Sequence, residues 1–222
     1  MAEPFTVLSW NVGNGLSRPE RLAGALRHSG ADIIGLEELS GEQAAVIEAE
    51  LAELYPWRAL FGRGIPGKGI LSRFPIHDLK HLSYHPERPD LHVIVHRENA
   101  PMHILVVHPP PPAPQEINAR AKQIAQLKKL ADLPDPVLMM GDMNMTHWQQ
   151  AYHELQGAGL LDTFAEVGHG SSLTFPTRRG SVPLRPMLRL DYIFHSTELT
   201  ALDAWVGADG GSDHLPLFAR FR

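Results

Sequence analysis

The chain has 222 residues, 43% of them hydrophobic and 20% charged, the composition of a folded protein long enough to bury its own core. It contains no cysteine, which excludes disulfides, zinc fingers, iron–sulfur clusters and cysteine nucleophiles. Twenty Lys and Arg against 25 Asp and Glu leave a formal net charge of −5, so the chain is not a globally basic nucleic-acid binder and has room only for a local basic patch.

In chain order, the first strand is expected over Phe5–Trp10. A helix follows, with Ser17 as N-cap, Pro19 and Glu20 in the first turn, Leu22, Ala25 and Leu26 as its apolar stripe, and Gly30 as its stop. Asp32–Leu36 reads as a strand, then Ser40 to Leu54 as a helix with Val46, Ile47, Leu51 and Leu54 on one face. Further strands are expected over Trp57–Phe61, Gly69–Ser72, Leu91–His96 and His103–Val107. Pro109–Pro112 must be extended. A helix carrying Ile117, Ala121, Ile124, Leu127 and Leu130 follows, then a strand over Pro136–Met140. A fourth helix should begin near Thr146, with Trp148, Tyr152 and Leu155 before Gly157, and the last strands cover Leu190–Phe194 and Leu215–Phe221. Strand–helix units mixed with strand-only stretches predict a layered α/β or α+β sandwich in one domain over residues 1–222. Nothing approaches the ~20 apolar residues of a membrane span. Met1-Ala2-Glu3-Pro4 lacks a basic region and an apolar stretch, so no signal peptide is expected and the expected compartment is the cytoplasm.

The chemistry gathers at strand ends. Val7–Trp10 ends in Asn11, Ile33–Leu36 in Glu37-Glu38, Ile104–Val107 in His108, and Val137–Met140 in Gly141-Asp142-Met143-Asn144. Arg189-Leu190 leads into Asp191, and Gly211-Ser212 into Asp213-His214. A carboxylate at the end of a buried apolar strand costs desolvation unless it is paired or binds a metal. These placements predict one polar pocket at one rim of the sheets. Carboxylate, amide and imidazole without thiolate favour a hard cation, Mg²⁺ or Mn²⁺, over zinc.

These segments resemble the endonuclease/exonuclease/phosphatase superfamily of Mg²⁺-dependent phosphoesterases. The resemblance rests on Ser9-Trp10-Asn11-Val12, Leu36-Glu37-Glu38, Ile70–Ile76, His108, Gly141–Asn144, Arg189–Phe194 and Ser212-Asp213-His214, in the family's order from residue 9 to 214. It implies a DNase-I-like α+β fold: a four-layer α/β sandwich of two packed, mainly antiparallel sheets flanked by helices. It also implies that Glu38 is the principal Mg²⁺ (or Mn²⁺) ligand, helped by Asn11 and Asp213. Glu37 sits where relatives often carry Gln. His214 and Asp191 would form a histidine–carboxylate pair, Asp142 and Asn144 would orient the attacking water, and His108 would donate to a phosphate oxygen. Whether Asp142 or His214 is the general base stays open. Each position also has a plainer reading: a helix-start carboxylate for Glu38, an Asx turn for Asp142–Asn144, a structural histidine for His214.

Two motifs are declined. Gly62–Lys68 matches G-x-x-x-x-G-K, but Gly69 and a strand follow, so it is not a nucleotide P-loop. His195 follows the Asp191 strand but reads as ordinary. Residues 167–190 contain no acid and four arginines, Arg178, Arg179, Arg185 and Arg189, which would attract an anionic substrate. Arg63, Lys68 and Arg73 form a second acid-free stretch. AP endonucleases carry tryptophan where this chain has Leu188 and Pro176, and Asp where it has Gly13, so an abasic-site pocket is not expected. No apolar hairpin for membrane insertion is evident. The expectation is a monomeric metal-dependent phosphodiesterase, endo- or exonuclease, acting on DNA or RNA by in-line attack of water. A phosphatase or a sphingomyelinase-like lipid phosphodiesterase on the same residues is the alternative, and a catalytically idle binding module a third.

Overall fold

Alternating apolar residues build most of the strands, and the alternation decides which layer each side chain enters. In the computed structural model the elements are β1 (Phe5–Asn11), α1 (Pro19–Arg27), β2 (Ile33–Glu37), α2 (Gly41–Leu51), β3 (Trp57–Phe61), β4 (Lys68–Ser72), β5 (Ile76–Leu82), β6 (Asp90–Arg97), β7 (Ala100–Val106), α3 (Ile117–Lys129), β8 (Val137–Asp142), α4 (Gln150–Gly157), β9 (Leu161–Asp162), α5 (Thr163–Val167), β10 (Arg178–Arg179), β11 (Val182–Pro183), β12 (Asp191–His195), β13 (Ala201–Val206) and β14 (Leu217–Phe221). The structure describes residues 3–98 and 100–222; Met1 and Ala2, on which part of the no-leader reading falls, lie outside them.

Two six-stranded sheets face each other, with strand orders β13-β14-β1-β2-β4-β3 and β5-β6-β7-β8-β12-β9. Each is antiparallel except for one central parallel pair, β1 with β2 and β7 with β8. Val7, Ile33, Leu138 and Met140 point into the shared core. Their neighbours Leu8 and Ile34 pack outward under α1 and α2, and Val137 and Met139 under α3 and α4. The result is the expected four-layer α+β sandwich. No helix among the described residues is long and apolar enough to cross a membrane.

Local chemistry explains most boundaries. Ser40 caps α2 in a capping box: its Oγ accepts from Gln43 N (3.2 Å) and its N–H donates to Gln43 Oε1 (2.9 Å). Gln43 then donates to Val12 O and Ser17 O at 3.2 and 2.8 Å, fixing the loop after β1. Ser17 does not cap α1. Its hydroxyl donates to Gly210 O (2.7 Å), and the N-cap is Arg18. The fourth helix starts at Gln150 rather than near Thr146, leaving Trp148 in the preceding turn. Of the strands not foreseen, β5 and β13 are sheet edges, where polar residues face water and blur the apolar signal, and β9, β10 and β11 are two residues each, too short to carry one.

Two positions yield predictions. Gly141, inside β8, has φ +147, and a Cβ there would lie 1.9 Å from the backbone oxygen of Val107 on the strand-end segment after β7. Gly141→Ala should therefore lower the melting temperature by about 6–12 °C in a thermal scan, the response to a loss of ~3 kcal/mol in a chain of this size. On the outer face of β6 and β7, His92 Nε2 lies 2.9 Å from His103 Nδ1, and both rings are buried. Burial, with His103 and Lys80 adding, pushes His92 from its ordinary value of 6.5 down to about 4. A histidine lowered in this way is neutral when folded, so its contribution is present above the unfolded value and is lost as pH falls from 6.5 toward 4. Urea midpoints at pH 7, 5.5 and 4 should fall less steeply for His92→Gln than for the wild type, by on the order of 2 kcal/mol at the acid end.

Candidate active site

Both central strand pairs are parallel, so their C-termini emerge side by side at one rim. Asn11 closes β1, and Glu37 closes β2 with Glu38 just beyond it. His108 follows β7, and Asp142 closes β8. The antiparallel neighbours bring their N-terminal ends to the same rim: Asp191 opens β12, and Asp213-His214 precede β14. Glu38, His108, Asp142, Asn144, Asp213 and His214 line a single cleft of about 250 Å³. Asn11 and Asp191 lie buried against its floor, touching Asp142 and His214.

His214 is held from every side. Its Nδ1 lies 2.9 Å from Asp191 Oδ2 and its Nε2 3.6 Å from Asp142 Oδ2. Trp10 Nε1 donates to its carbonyl (3.0 Å), its N–H donates to Ser212 Oγ (3.2 Å), and the Phe175 ring packs at 4.6 Å. Burial opposes a charged imidazole, but Asp191 and Asp142 outweigh it and push the ring up to about 10. Asp142 accepts from Asn11 Nδ2 (3.1 Å) and from the N–H of Asn144 (2.9 Å), the latter an Asx turn. Burial drives Asp142 up to about 6, with His214 pulling down and Asp191 pushing up.

His108 Nε2 stands 3.5 Å from Asp142 Oδ2 and 3.8 Å from Glu38 Oε1. Burial holds it well below the ordinary range, and Lys68, Arg88 and His214 add to that. Its ring is therefore neutral. Burial also raises Glu38, assisted by Asp213 and opposed by Asn11 and His214. Glu37 is completely buried beneath the site and is raised well above the usual carboxylate range by burial, Asp191 and Asp142. Glu38 and Asn144 both adopt left-handed backbone, φ 53 and 47, which non-glycine residues reach at a cost of ~1 kcal/mol or more. Two cleft-lining side chains thus sit on strained turns that the surrounding strands must hold.

The donor set suits a hard cation. Carboxylates of Glu38, Asp142, Asp191 and Asp213 crowd one rim with the Asn11 amide, and buried Asp191 Oδ1 and Glu37 Oε2 have no hydrogen-bond partner among the described residues. Asp142, Asp191 and His214 offer three ligand atoms within 4.8 Å of one another. Crowded, poorly solvated carboxylates of this kind are relieved by a divalent ion.

Several side chains at the site were not singled out from the sequence. Arg88, on the loop between β5 and β6, lines the cleft and forms no ion pair among the described residues. Asp90 accepts from the His108 N–H (3.0 Å) and from Gln123 Nε2 (2.6 Å), and its Oδ1 lies 3.8 Å from buried Lys68 Nζ. Asp90 opens β6 as the other rim residues open or close their strands, so the same strand-end regularity marks it. Arg88 carries no comparable signal.

Other expectations need correction. Arg189 is not free for substrate: it is buried, donates to Asp162 Oδ2 (2.9 Å) and stacks on Tyr192 at 4.4 Å, because a guanidinium under the sheet edge must be paired. Arg178 is half-buried and 3.8 Å from Asp209, whereas Arg179 and Arg185 are exposed. In the second acid-free stretch, Lys68 is buried and Arg73 lies 3.2 Å from Asp32, which leaves Arg63 exposed. The declined P-loop look-alike runs directly into β4, and a Cβ on Gly67 would come within 2.1 Å of Leu39 O. Its glycine lets the loop press against the turn that carries Glu38. His195 is buried against Thr163 and Glu166, away from the cleft.

Comparison with solved structures places this arrangement among similar folds. A humanised zebrafish (D. rerio) TDP2 aligns with a TM-score of 0.79 at 20% identity, covering 99% of each chain. A Neisseria 3′ phosphatase, NExo, solved with a product DNA hairpin, aligns at 0.77 and 20% identity, covering 98% of this chain and 99% of its own. A family protein from Leptotrichia buccalis C-1013-b aligns at 0.76 and 16% identity over 98% and 99%. A search of curated proteins found no match. The model of the Endonuclease/Exonuclease/phosphatase family matches residues 8–214, from the strand ahead of Asn11 through His214. With that match across both sheets and every rim segment, the chain belongs to the endonuclease/exonuclease/phosphatase family of phosphoester hydrolases.

Proposed function

We propose that the protein is a Mg²⁺- or Mn²⁺-dependent phosphodiesterase that cleaves nucleic acid by in-line attack of water. The observation that carries the reading is the convergence of Glu38, His108, Asp142, Asn144 and His214 on one cleft that also presents an arginine, Arg88, with no ion-pair partner among the described residues. Carboxylates, amide and imidazole facing a basic group are what a phosphoryl centre needs, with an acceptor for a water proton on one side and donors for non-bridging oxygens on the other.

Glu38, with Asn11 and Asp213, would hold the ion. Glu38 is the most accessible of the acids closest to the cleft floor, with a side chain 23% exposed against 3% for Asp142 and 0% for Asp191. The Asp142–Asp191–His214 group is the weaker candidate, because both ring nitrogens of His214 already face a carboxylate. When bound, the ion supplies charge stabilisation at the phosphoryl oxygens. Asp142 and Asn144 orient the attacking water: the carboxylate is pinned by Asn11 and by the Asn144 N–H, and it lies between both imidazoles. Asp191 fixes Nδ1 of His214, and Nε2, which faces Asp142 at 3.6 Å without a hydrogen bond to it, would meet a phosphate oxygen. His108 and Arg88 complete the donor set from the far wall.

Arg179 and Arg185, exposed on the acid-free segment beside Asp213, would draw the nucleic-acid backbone toward the cleft. Thr177 donates its N–H to Asp213 O (2.8 Å), which ties that segment to the site. These surface charges set the substrate class against a net charge of −5 for the whole chain. The Neisseria neighbour's description as a 3′ phosphatase keeps one second reading in view, removal of terminal phosphate from nucleic-acid ends by the same residues.

Incubation with labelled single-stranded and duplex oligonucleotides in Mg²⁺ or Mn²⁺ should give internal or stepwise cleavage that EDTA abolishes. Asp142→Asn and His214→Gln should each lower kcat by about 10³-fold or more while the melting temperature stays within a few degrees. Release of inorganic phosphate alone, with every internucleotide diester intact, would favour the phosphatase reading instead. Replacing Arg179 and Arg185 together by Ala should weaken oligonucleotide binding across sequences. It should also shallow the log–log salt dependence by about one for each phosphate that is no longer neutralised, measured by titration at several salt concentrations.

A further inference from the structure

Large apolar side chains stand in water on the segments that also carry the cleft residues Asn144, Phe175 and Leu190. Trp148 is 71% exposed, Met187 67% and Leu188 40%. With Leu173 they border a shallow pocket of about 60 Å³. Exposed apolar surface on this scale forgoes roughly 25 cal/mol for each Å² left unburied, and contiguous patches of it mark binding surfaces.

The shelf is tied to the cleft through shared segments, and Phe175, which lines the cleft, is hydrogen-bonded to its Met187–Leu188 side. Leu190 and Asn144, which line the cleft, belong to the same two segments that carry Leu188 and Trp148. Met143 N donates to Leu190 O (2.9 Å), Phe175 N to Leu188 O (3.0 Å), and Met187 N to Phe175 O (2.8 Å). The His147 ring backs the indole at 3.9 Å between centroids. The tryptophan is thus held on one side and open on the rest.

We infer that this shelf is a nucleobase subsite, in which Trp148 stacks on an unpaired base next to the scissile phosphate; the inference rests on the nucleic-acid reading of the cleft. A phosphodiester seated among His108, Asp142 and His214 carries a substituent on each side, and the wall at Asn144 and Leu190 leads one of them onto the shelf. The pocket beneath is too small to swallow a ring or an acyl chain, so the occupant lies flat across Trp148. A flat, polar-edged ring tethered to a phosphate is a nucleobase. In a duplex both faces of a base are already stacked, so the shelf selects single strands, ends or flaps, with little regard for sequence. Arg185, exposed two residues before Met187, meets the backbone of the same strand.

The test compares hexathymidylate with a hexamer of abasic tetrahydrofuran units, which has the same phosphates and no bases, in EDTA to prevent turnover. Wild-type protein should bind the thymidylate about 5- to 100-fold more tightly, with quenching of tryptophan emission. Trp148→Ala should erase both the preference and the quench, and Trp148→Phe should keep part of the preference. Equal wild-type affinity for the two hexamers, or a Trp148→Ala variant that retains the preference, overturns the subsite. A quench by thymidylate in a blunt duplex equal to that by the single strand overturns the requirement for an unpaired base. Failure of the wild type to bind either hexamer or to cleave any nucleic acid in Mg²⁺ overturns the nucleic-acid reading itself, a result distinct from loss of the base preference alone.

Discussion

The site depends on one constraint of topology: each sheet has a parallel pair at its centre, and the two pairs face each other. Parallel neighbours must be joined by a crossover, here α1 between β1 and β2 and α3 between β7 and β8. Their C-termini then end side by side. Antiparallel pairs alone would place every second strand end on the opposite rim. With the parallel pairs in the middle, Asn11 and Glu38 emerge from one sheet, His108 and Asp142 from the other, and the flanking antiparallel strands bring Asp191 and His214 back to the same edge. Residues about 200 positions apart meet in this way: the Ser212 hydroxyl donates to Asn11 O at 2.7 Å.

Assembling that rim works against stability. Glu37, Asp142 and Asp191 are buried within reach of one another, and two neighbouring residues adopt left-handed backbone. Burial and like charge push the Glu37 and Asp142 carboxyls above the usual carboxylate range. The strands supply the offset. Asn11 and Glu38 lie within two residues of the buried Trp10, Val12, Leu36 and Leu39, so their cost is borne by the packed layer rather than by loops. The buried Lys68–Asp90 pair extends the same arrangement behind His108, with Asp90 holding that residue's backbone.

Much of this was legible in the chain because the signal is a repeated contrast: an apolar run of four residues that ends abruptly in an acid, an amide or a histidine. That contrast survives wherever strands are central. It fails at the β5 and β13 edges, which carry polar residues on their solvent face and lose the pattern, whereas the edge strand β3 keeps enough apolar residues to be read. Charge signs were equally readable but partners were not. Arg179 and Arg189 look alike in sequence, yet one is in water and the other is clamped by Asp162, a residue 27 positions away in a different strand. Arg88 lay outside every motif, since its place in the cleft depends on how the β5–β6 loop folds over β4. Trp148 reads as part of a helical stripe from its spacing with Tyr152 and Leu155; the structure starts that helix at Gln150 and leaves the indole outside.

The strand orders also give the cleft a long axis. Across the second sheet the rim passes from Asp191 on β12, through Asp142 on β8 and His108 beyond β7, to Asp90 and Arg88 at β6. Three inter-strand steps of ~4.8 Å span roughly 14 Å, more than a single phosphoryl group occupies. The Asp191 end adjoins His214 and the arginine-bearing segment, and the opposite end carries the Arg88 guanidinium. Carboxylates stand along the whole row, Asp191 and Asp90 at its limits and Asp142 between them, and a cation bound there would reverse the local sign. A rim of this length, with the Arg88 guanidinium beyond one limit and exposed arginines on the segment beside the other, is the geometry on which the proposal of an extended anionic substrate rests.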